Sequence, residues 1–245
     1  MKRRNVLAGL AAALTAGCSK IGDSRAFTGL VDGAERLHRA AHRTLGGRRP
    51  LAREYSPADI SPFFRGNGNQ DVDSDAYRAH AAAGFADWVL EVRGLVERPL
   101  RLTMEQIRAL PQRTQITRHD CVEGWSAIGQ WTGPQLAALL EMAGLREGAK
   151  FIVFRCADDF RGVPYYESCD LDDAMHPQTI LAHRLNGEAL PVRNGAPLRL
   201  RIERQLGYTH AKYLTAIEAV ASLDGIGQGG GGYGEDKGYQ WYAGV

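Results

Sequence analysis

The sequence predicts an α+β fold with mixed β-sheets around one large core. Two observations support this prediction, the first for the fold class and the second for the core. Segments typical of strands are interspersed with short helical segments, without a regular strand–helix–strand period. A chain of 245 residues that is 44% hydrophobic and 24% charged can bury one large core. The net charge of +2 is far from the basic excess of a general nucleic-acid binder, so we expect no nucleic-acid partner.

Residues 1–17 have the composition of an export signal. Three cationic residues, 2–4, precede an apolar segment over 6–16 that is too short to span a bilayer as a helix. The Arg3-Arg4 pair resembles a twin-arginine signal, and residues 14–18 resemble a lipobox that ends in Cys18. We therefore predict a periplasmic protein, with membrane attachment through a lipidated Cys18. Twin-arginine export carries folded proteins, which often hold a cofactor.

Residues 18–54 are interpreted as a tether with a peripheral helix, and residues 55–245 as the functional domain. Apolar residues at helical spacing (Leu30, Ala34, Leu37 and Ala41) favour the helix. A disordered spacer explains the same composition equally well.

The first half of the domain carries strand and helix signals in turn. We predict a strand over 88–92, a helix over 103–110, a short strand from Ile116 into a loop, and a helix that begins at 130–134 and ends at Gly144. Thr103 and Gln106 have capping-box spacing at the start of the first helix. Pro134 suits the first turn of the second helix.

The second half is expected to be richer in strands. Predicted are strands over 151–156, 165–167, 197–203 and 213–220, a polar turn over 158–164, a short helix over 170–175 and a turn at Asn186-Gly187. Residues 225–238 are rich in glycine and lead to an aromatic segment, 239–242. Arg199 and Arg201 alternate with apolar residues. Taken alone, Arg199 and Lys212 are expected to belong to a solvated charged face.

The segment 117–126 concentrates the chemistry of the chain around Cys121. Arg118 and His119 precede this cysteine, and nearby positive groups lower the pKa of a thiol, which favours a nucleophile or a ligand for a soft metal. A structural or disulfide-bonded cysteine is the alternative. Cys156 and Cys169 can form a bridge in an oxidising compartment, although their spacing does not establish one. With no CxxC in the sequence, a zinc site has little support.

Five segments, in one order, resemble the molybdopterin-binding domain of the sulfite oxidase family. They are RHDCVEGWS, FRGNG, PYYESCDLDDAMHPQTILA, NGAPLRLR and GYTHAKY, within a resemblance that runs from about Ser61 to Val245. The resemblance implies that fold and a molybdenum–molybdopterin cofactor, with Cys121 as the thiolate ligand of the metal. The predicted cofactor-binding residues are Arg65, Asn67, Arg118, His119, Cys121, Asn194, Arg199, Gly207, Tyr208, Thr209 and Lys212. Tyr166, with Cys121, is the predicted catalytic pair, although strand packing explains Tyr165 and Tyr166 equally well.

The resemblance further implies an oxidoreductase that transfers an oxygen atom at a sulfur-centred substrate. The compact layout is similar to the subgroup that reduces protein-bound methionine sulfoxide in the periplasm, so sulfoxide reduction is the preferred direction. Sulfite oxidation by a dehydrogenase is the alternative. Since the chain has no CxxCH haem site and no cluster of iron–sulfur cysteines, a separate cytochrome or membrane haem protein is expected to exchange electrons with it.

Two hypotheses of other classes stay open from the sequence. The chain could be an exported lipoprotein that binds a partner without catalysis. It could also be a hydrolase that uses Cys121 and His119, which lie two residues apart and would point the same way on a strand.

Overall fold

The structure is a computed structural model that describes residues 24–45 and 50–245. The predicted export signal and Cys18 lie outside the described residues. Helix α1 (Arg25–Leu45) falls within the predicted tether. A separate compact unit extends from Arg48 to Val245. None of the described helices combines the length and the apolar character that crossing a membrane requires.

The compact unit alternates short helices with strands in chain order. The helices are α2 (Asp75–Ala82), α3 (Met104–Ala109), α4 (Leu136–Ala143) and α5 (Leu171–Ala174). The strands are β1 (Val89–Gly94), β2 (Leu100–Thr103), β3 (Gln112–Cys121), β4 (Trp125–Pro134), β5 (Phe151–Phe160), β6 (Val163–Asp170), β7 (Ile180–Ala182), β8 (Arg184–Leu185), β9 (Glu188–Ala189), β10 (Arg199–Arg201) and β11 (Leu214–Val220).

Three sheets organise these strands, and the predicted α+β class is confirmed. The largest sheet has the order β2-β1-β11-β5-β6, in which β1 and β11 are parallel and the other pairs antiparallel. A second sheet has the order β3-β4-β8-β9, and β10 pairs with β7. The parallel pair among antiparallel ones makes the large sheet mixed, as the interspersed elements predict.

Two predicted segments in the first half differ from the structure. The segment 130–134 is the end of β4 rather than a helix start, and α4 begins at Leu136. In β4, Trp131 and Thr132 pair with β3 on one side and with β8 on the other, so two neighbours satisfy the backbone and override the helix signal. β3 is a long strand from Gln112, because its residues pair along their whole length with β4, and Cys121 is its last residue rather than part of a loop.

The polar segment 158–164 is likewise mostly strand. β5 continues to Phe160 and turns back at Arg161-Gly162, where both residues have positive φ. The Asp159 carboxylate accepts a hydrogen bond from the Gly162 amide at 2.7 Å, which closes the turn. By contrast, the capping box at Thr103 and Gln106 is present as predicted.

The charges of β10 do not form a solvated face. Arg199 and Arg201 are each 0% exposed, because β10 lies between β7 and a polar interior. Neither Cys156 nor Cys169 forms a disulfide, and the register places Cys169 opposite Ile152 and Cys156 opposite Leu214. A Cys156–Cys169 bridge is therefore absent from the fold.

Candidate active site

The β3–β4 hairpin positions Cys121. Cys121 pairs with Trp125 across a three-residue connection, and Gly124 in that connection has a φ of 85°, a conformation that glycine adopts without strain. Because side chains alternate along a strand, Cys121 shares its buried face with His119 and Thr117. Arg118 points to the opposite face.

Arg118 is therefore not brought to the predicted site. Its guanidinium pairs with the Asp120 carboxylate at 2.8 Å and its side chain is about half exposed. Asp120 also accepts from the Ser126 hydroxyl at 2.5 Å. A cation on the far face of the strand has no contact with the thiol, so the sequence hypothesis that Arg118 ionises Cys121 is wrong in this geometry.

The thiol of Cys121 opens into a cavity of about 320 Å³. Most of the cavity wall is aromatic or apolar, with one carboxylate and one ammonium group. The lining residues are Asn67, Gly68, Cys121, Val122, Glu123, Phe160, Tyr165, Tyr208, Tyr233, Gly234, Lys237 and Tyr239. Burial raises the pKa of Cys121. The backbone of Glu123 partly offsets the rise through a hydrogen bond, the Glu123 carboxylate adds to it, and the charge of Arg199 lowers it. Without a metal the thiol is thus protonated at neutral pH, contrary to the prediction from its neighbours in sequence.

His119 is buried and electrically neutral. Burial, followed by the charge of Arg201, holds the pKa of His119 well below its usual range. The guanidinium of Arg201 donates to His119 Nδ1 at 2.8 Å, which leaves the proton of the neutral ring on Nε2. His119 Nε2 has no hydrogen-bond partner. A protonated Nε2 and an occupied Nδ1 cannot accept a proton from Cys121, so the hydrolase hypothesis lacks its base.

Two buried arginines of β10 differ in their counter-charges. Arg201 forms a two-pronged ion pair with Glu203, at 2.9 Å and 2.5 Å. Arg199 instead donates to the backbone carbonyls of Asn194 at 2.9 Å and His210 at 3.4 Å, and its Nε has no partner. Burial, followed by Arg201, lowers the pKa of Arg199 to about 9. Arg199 is thus a buried cation with no acidic side chain bonded to it.

Lys212 holds the loop that carries Asn67. Its ammonium donates to the Asn67 carbonyl at 2.6 Å and also to the Asn69 and Arg193 carbonyls. Burial, followed by Arg199, lowers the pKa of Lys212 to about 7. The lysine lies beside the cavity and fixes its wall, in addition to the phosphate contact that the sequence predicts for it.

Two asparagines meet around this loop. The Asn194 amide nitrogen donates to the Arg65 carbonyl at 3.1 Å, and the Asn67 amide nitrogen donates to the Gly207 carbonyl at 3.3 Å. Arg65 itself is exposed and lines a second cavity of about 430 Å³, which shares Glu123 with the first.

The predicted phosphate segment packs directly against His119. A Cβ added at Gly207 would lie 2.3 Å from the His119 ring, so this close approach requires glycine. Tyr208 lines the cavity and donates its hydroxyl to the Gln240 carbonyl at 2.6 Å. Thr209 donates to the Leu206 carbonyl at 2.9 Å and so stabilises its own turn.

Of the two consecutive tyrosines of β6, Tyr165 lines the cavity and Tyr166 does not. Tyr165 donates its hydroxyl to the Tyr208 carbonyl at 3.0 Å. Tyr166 lies on the opposite face of β6, where its hydroxyl donates to Asp236 at 2.7 Å. The one-residue difference moves the predicted catalytic hydroxyl to the far side of the strand.

The residues present fit an anionic, hydrogen-bonding cofactor. Five buried polar atoms near Cys121 have no protein partner, and they include both donors and acceptors. They are Asn67 Oδ1, His119 Nε2, Asn194 Oδ1, Arg199 Nε and His210 Nδ1. Buried polar atoms in folded proteins are nearly always satisfied, so this cluster indicates a ligand with matching edges and negative charge.

Sequence reasoning missed several residues of this site. His210 contacts the His119 ring at 5.1 Å, Arg201 fixes the tautomer of that histidine, and Tyr233 and Tyr239 reach the cavity from the glycine-rich segment. The tyrosines among the glycines were the available signal, since aromatic residues in a flexible segment need something to pack against.

Known proteins match both the fold and the sequence. The family model of the oxidoreductase molybdopterin-binding domain matches residues 78–224. The putative protein-methionine-sulfoxide reductase subunit YedZ1 of Azospira oryzae is 37% identical over 244 residues, which are 100% of this chain and 86% of that protein. The protein-methionine-sulfoxide reductase catalytic subunit MsrP of Campylobacter jejuni is 37% identical over 144 residues, and the match spans 54% of this chain but only 48% of that protein.

A solved structure shares the fold. The sulfane dehydrogenase SoxCD of Paracoccus pantotrophus matches with a TM-score of 0.51 at 24% identity, over 56% of this chain and 39% of that one.

Proposed function

The chain belongs to the oxidoreductase molybdopterin-binding domain family, and from that premise we propose that it reduces sulfoxides carried on methionine side chains. The cofactor we assign is molybdenum–molybdopterin. When bound, it supplies a metal that accepts and releases an oxygen atom with a two-electron change. Cys121 would bind the metal through its thiolate, because a thiolate is a soft donor. Metal binding also offsets the raised pKa of this thiol, since a coordinated thiol loses its proton.

The anionic part of the cofactor would lie against the buried cations. Arg199 has no acidic partner and Lys212 is fixed beside it, so an anion there compensates charge that the protein leaves unpaired. His119 Nε2 and the Asn67 and Asn194 carbonyl oxygens offer a donor and two acceptors for the edges of a pterin.

The wall of the cavity beside Cys121 is the observation that carries the choice of substrate. Phe160, Tyr233 and Tyr239 surround the opening, with Glu123 and Lys237 as the charged groups of the lining. A hydrogen bond from Trp125 lowers the pKa of Glu123, which is ionised at neutral pH. A carboxylate and an aromatic wall suit a neutral sulfoxide with a methyl group better than the sulfite anion.

The names of the relatives agree with this direction and bear on the partner. The Azospira relative is called a reductase subunit, and we propose that this chain likewise works with a separate haem protein that delivers electrons. We also propose that the chain acts in the periplasm, attached through Cys18, on the basis of its N-terminal sequence.

The test is a pair of assays on purified, full-length protein from molybdate-supplied cells. Elemental analysis should find about one molybdenum per chain, a value set by one thiolate site. We expect reduction of methionine sulfoxide with a reduced dye as electron donor. Turnover of sulfite with an oxidised cytochrome, and none of sulfoxide, would reverse the proposed direction. Folded protein without molybdenum would favour the non-catalytic lipoprotein.

A further inference from the structure

Two buried carboxylates meet behind the wall of the cavity. Glu167 lies on β6 and is 0% exposed, and Glu235 lies in the glycine-rich segment and is 8% exposed. A Cβ added at Gly232 would lie 2.4 Å from an oxygen of Glu167 and 2.1 Å from an oxygen of Glu235, so both groups flank one point. Two ionised carboxylates this close, away from water, repel strongly, and one shared proton removes the repulsion.

The hydrogen bonding of Glu167 agrees with a shared proton. Neither oxygen of Glu167 has a donor at good geometry. An ionised carboxylate only accepts, whereas a protonated one donates, so a proton between the two groups would satisfy Glu167 without a further donor. The carboxylate pair, Glu167 and Glu235, is thus arranged to hold a proton.

Tyr165 connects the carboxylate pair to the cavity. It precedes Glu167 by two residues and therefore lies on the same face of β6. Its hydroxyl donates to the Tyr208 carbonyl at 3.0 Å, and its ring lines the cavity that contains Cys121. The hydroxyl also lies near enough to Glu167 to lower the pKa of that carboxyl, against the larger rise caused by burial and by Glu235.

The groups around Glu167 favour its protonated form. Asp236 faces it from the glycine-rich segment and raises its pKa further, although the Asp236 carboxylate itself bonds to the Tyr166 hydroxyl. From β5 the facing group is the half-buried thiol of Cys156, whose own pKa is raised by burial and, to a smaller extent, by the charges of Asp158 and Glu167.

We propose that the carboxylate pair stores a proton at neutral pH and delivers it through the Tyr165 hydroxyl to the oxygen of the substrate sulfoxide. The inference rests on the proposed function. Reduction of a sulfoxide breaks the sulfur–oxygen bond, uses two electrons from the haem donor and two protons, and yields a thioether and water. The carboxylate pair supplies one proton and is reprotonated from solvent, which supplies the other. Glu167 and Glu235 act through Tyr165 and are positioning residues.

The first test compares the pH profiles of Glu167→Gln and Glu235→Gln with the parent, using molybdenum-loaded full-length protein and a reduced dye. We expect molybdenum content and KM to stay at the parent values. Above pH 7, kcat should fall at least about tenfold, since proton transfer by a positioned side chain contributes on the order of 10²–10⁴-fold. The decline should begin at lower pH than in the parent, because the remaining carboxyl loses its like-charged neighbour. Glu105→Gln makes the same change at an exposed position and should leave the profile unchanged.

The second test needs no turnover. Infrared difference spectra of the parent at pH 7 should show the carbonyl band of a protonated carboxyl group, and both glutamine variants should lose it. Absence of that band in the parent overturns the inference, even if a variant fails to fold. A parent that reduces sulfoxide while both variants keep its pH profile overturns the inference alone. A parent that reduces no sulfoxide overturns the proposed function as well.

Discussion

The site has two regions of opposite character, which we call the base and the mouth. The base comprises His119, Arg199, His210 and Lys212, all buried, and it is cationic or hydrogen-bonding. The mouth comprises Val122, Phe160, Tyr233 and Tyr239 and is mainly aromatic. Three of the base residues have a buried polar atom without a protein partner, namely His119 Nε2, Arg199 Nε and His210 Nδ1, whereas the four mouth residues have none. Binding of an anionic cofactor and selection of a neutral substrate are therefore assigned to different elements.

The two regions also differ in where they lie along the chain. Every base residue falls within residues 78–224, the segment that matches the family model. Tyr233 and Tyr239 lie after it, in the glycine-rich segment that packs on β6 through the hydrogen bond from the Tyr233 amide to the Tyr166 carbonyl, 2.9 Å long. Val122 and Phe160 of the mouth also lie within the matched segment, so only the two tyrosines of the mouth lie outside the part of the chain that the family model covers.

The largest effect is expected at Cys121, where the two regions meet. Cys121→Ser removes the soft thiolate, and we expect kcat for sulfoxide reduction to fall by more than about a hundredfold, because changes in the outer shell of a metal site alone cost 10–100-fold. The measurement is turnover together with molybdenum content. Cys169→Ser, which makes the same change in the core, should retain activity in whatever fraction of the protein folds. Full turnover by Cys121→Ser would remove the metal from the mechanism.

The second prediction separates the two arginines of β10 by the sign of their effect on stability. Arg199→Met removes a buried cation without an acidic partner and should stabilise the cofactor-free protein by about 1–4 kcal/mol. Arg201→Met leaves Glu203 buried and unpaired, and should destabilise it by about 3–5 kcal/mol. Urea unfolding of the cofactor-free proteins measures both changes. Equal loss of stability in the two variants would show that Arg199 is as well compensated as Arg201.

The cofactor content of the Arg199→Met variant provides a second measurement. Arg199→Met should lower the molybdenum content and the phosphorus content together, because the anion loses its counter-charge. A gain in stability together with full cofactor content would break the assignment of the base to anion binding.

The third prediction concerns the pH dependence that Lys212 gives to the base. The pKa of Lys212 is lowered from 10.5 to about 7 in the folded, cofactor-free protein. Between these values the unfolded chain binds a proton that the folded chain does not, so the free energy of unfolding should rise with pH from 7 to 10.5. The rise should be on the order of a few kcal/mol, measured by urea unfolding at each pH.

A matched pair of variants isolates this contribution. Lys212→Met should flatten the rise, whereas Lys150→Met, on the surface before β5, should leave it in place. Cofactor binding should also flatten it, since an anion raises the pKa of a nearby lysine. A slope that is the same in all four samples would mean that Lys212 keeps its proton throughout.

Sequence alone predicted the base far better than the mouth. His119 and Arg199 lie on strands, whereas His210 and Lys212 lie between β10 and β11. The family resemblance named His119, Arg199 and Lys212, although alternation alone favoured a solvated face for Arg199. The face of β6 was assigned wrongly by one residue, because two consecutive tyrosines carry no local signal that distinguishes the cavity side from the other. The end of β4 was also misjudged, since pairing with both β3 and β8 overrides a local helix signal at Pro134.

The residues of the mouth could not be placed because long-range packing decides them. Tyr239 contacts the ring of Tyr208 at 5.0 Å, although 31 positions separate them in the sequence. The raised pKa of Cys121 is a similar case, because burial outweighs the neighbouring cation that the sequence displays. Such effects depend on the whole fold rather than on spacing.

The smallest effect is expected at the mouth itself. Tyr239→Ala removes an exposed ring from the opening and should raise KM for a methionine-sulfoxide peptide by about two- to tenfold, the range that corresponds to the 0.3–1.5 kcal/mol of a sulfur–aromatic contact. Molybdenum content and kcat should stay at the parent values, because the ring of Tyr239 packs on Tyr208, which is not a base residue. Phe63→Ala removes an exposed ring from the second cavity and should leave KM unchanged. If Tyr239→Ala instead lowered the molybdenum content, the mouth would be part of the cofactor site and the division between the two regions would fail.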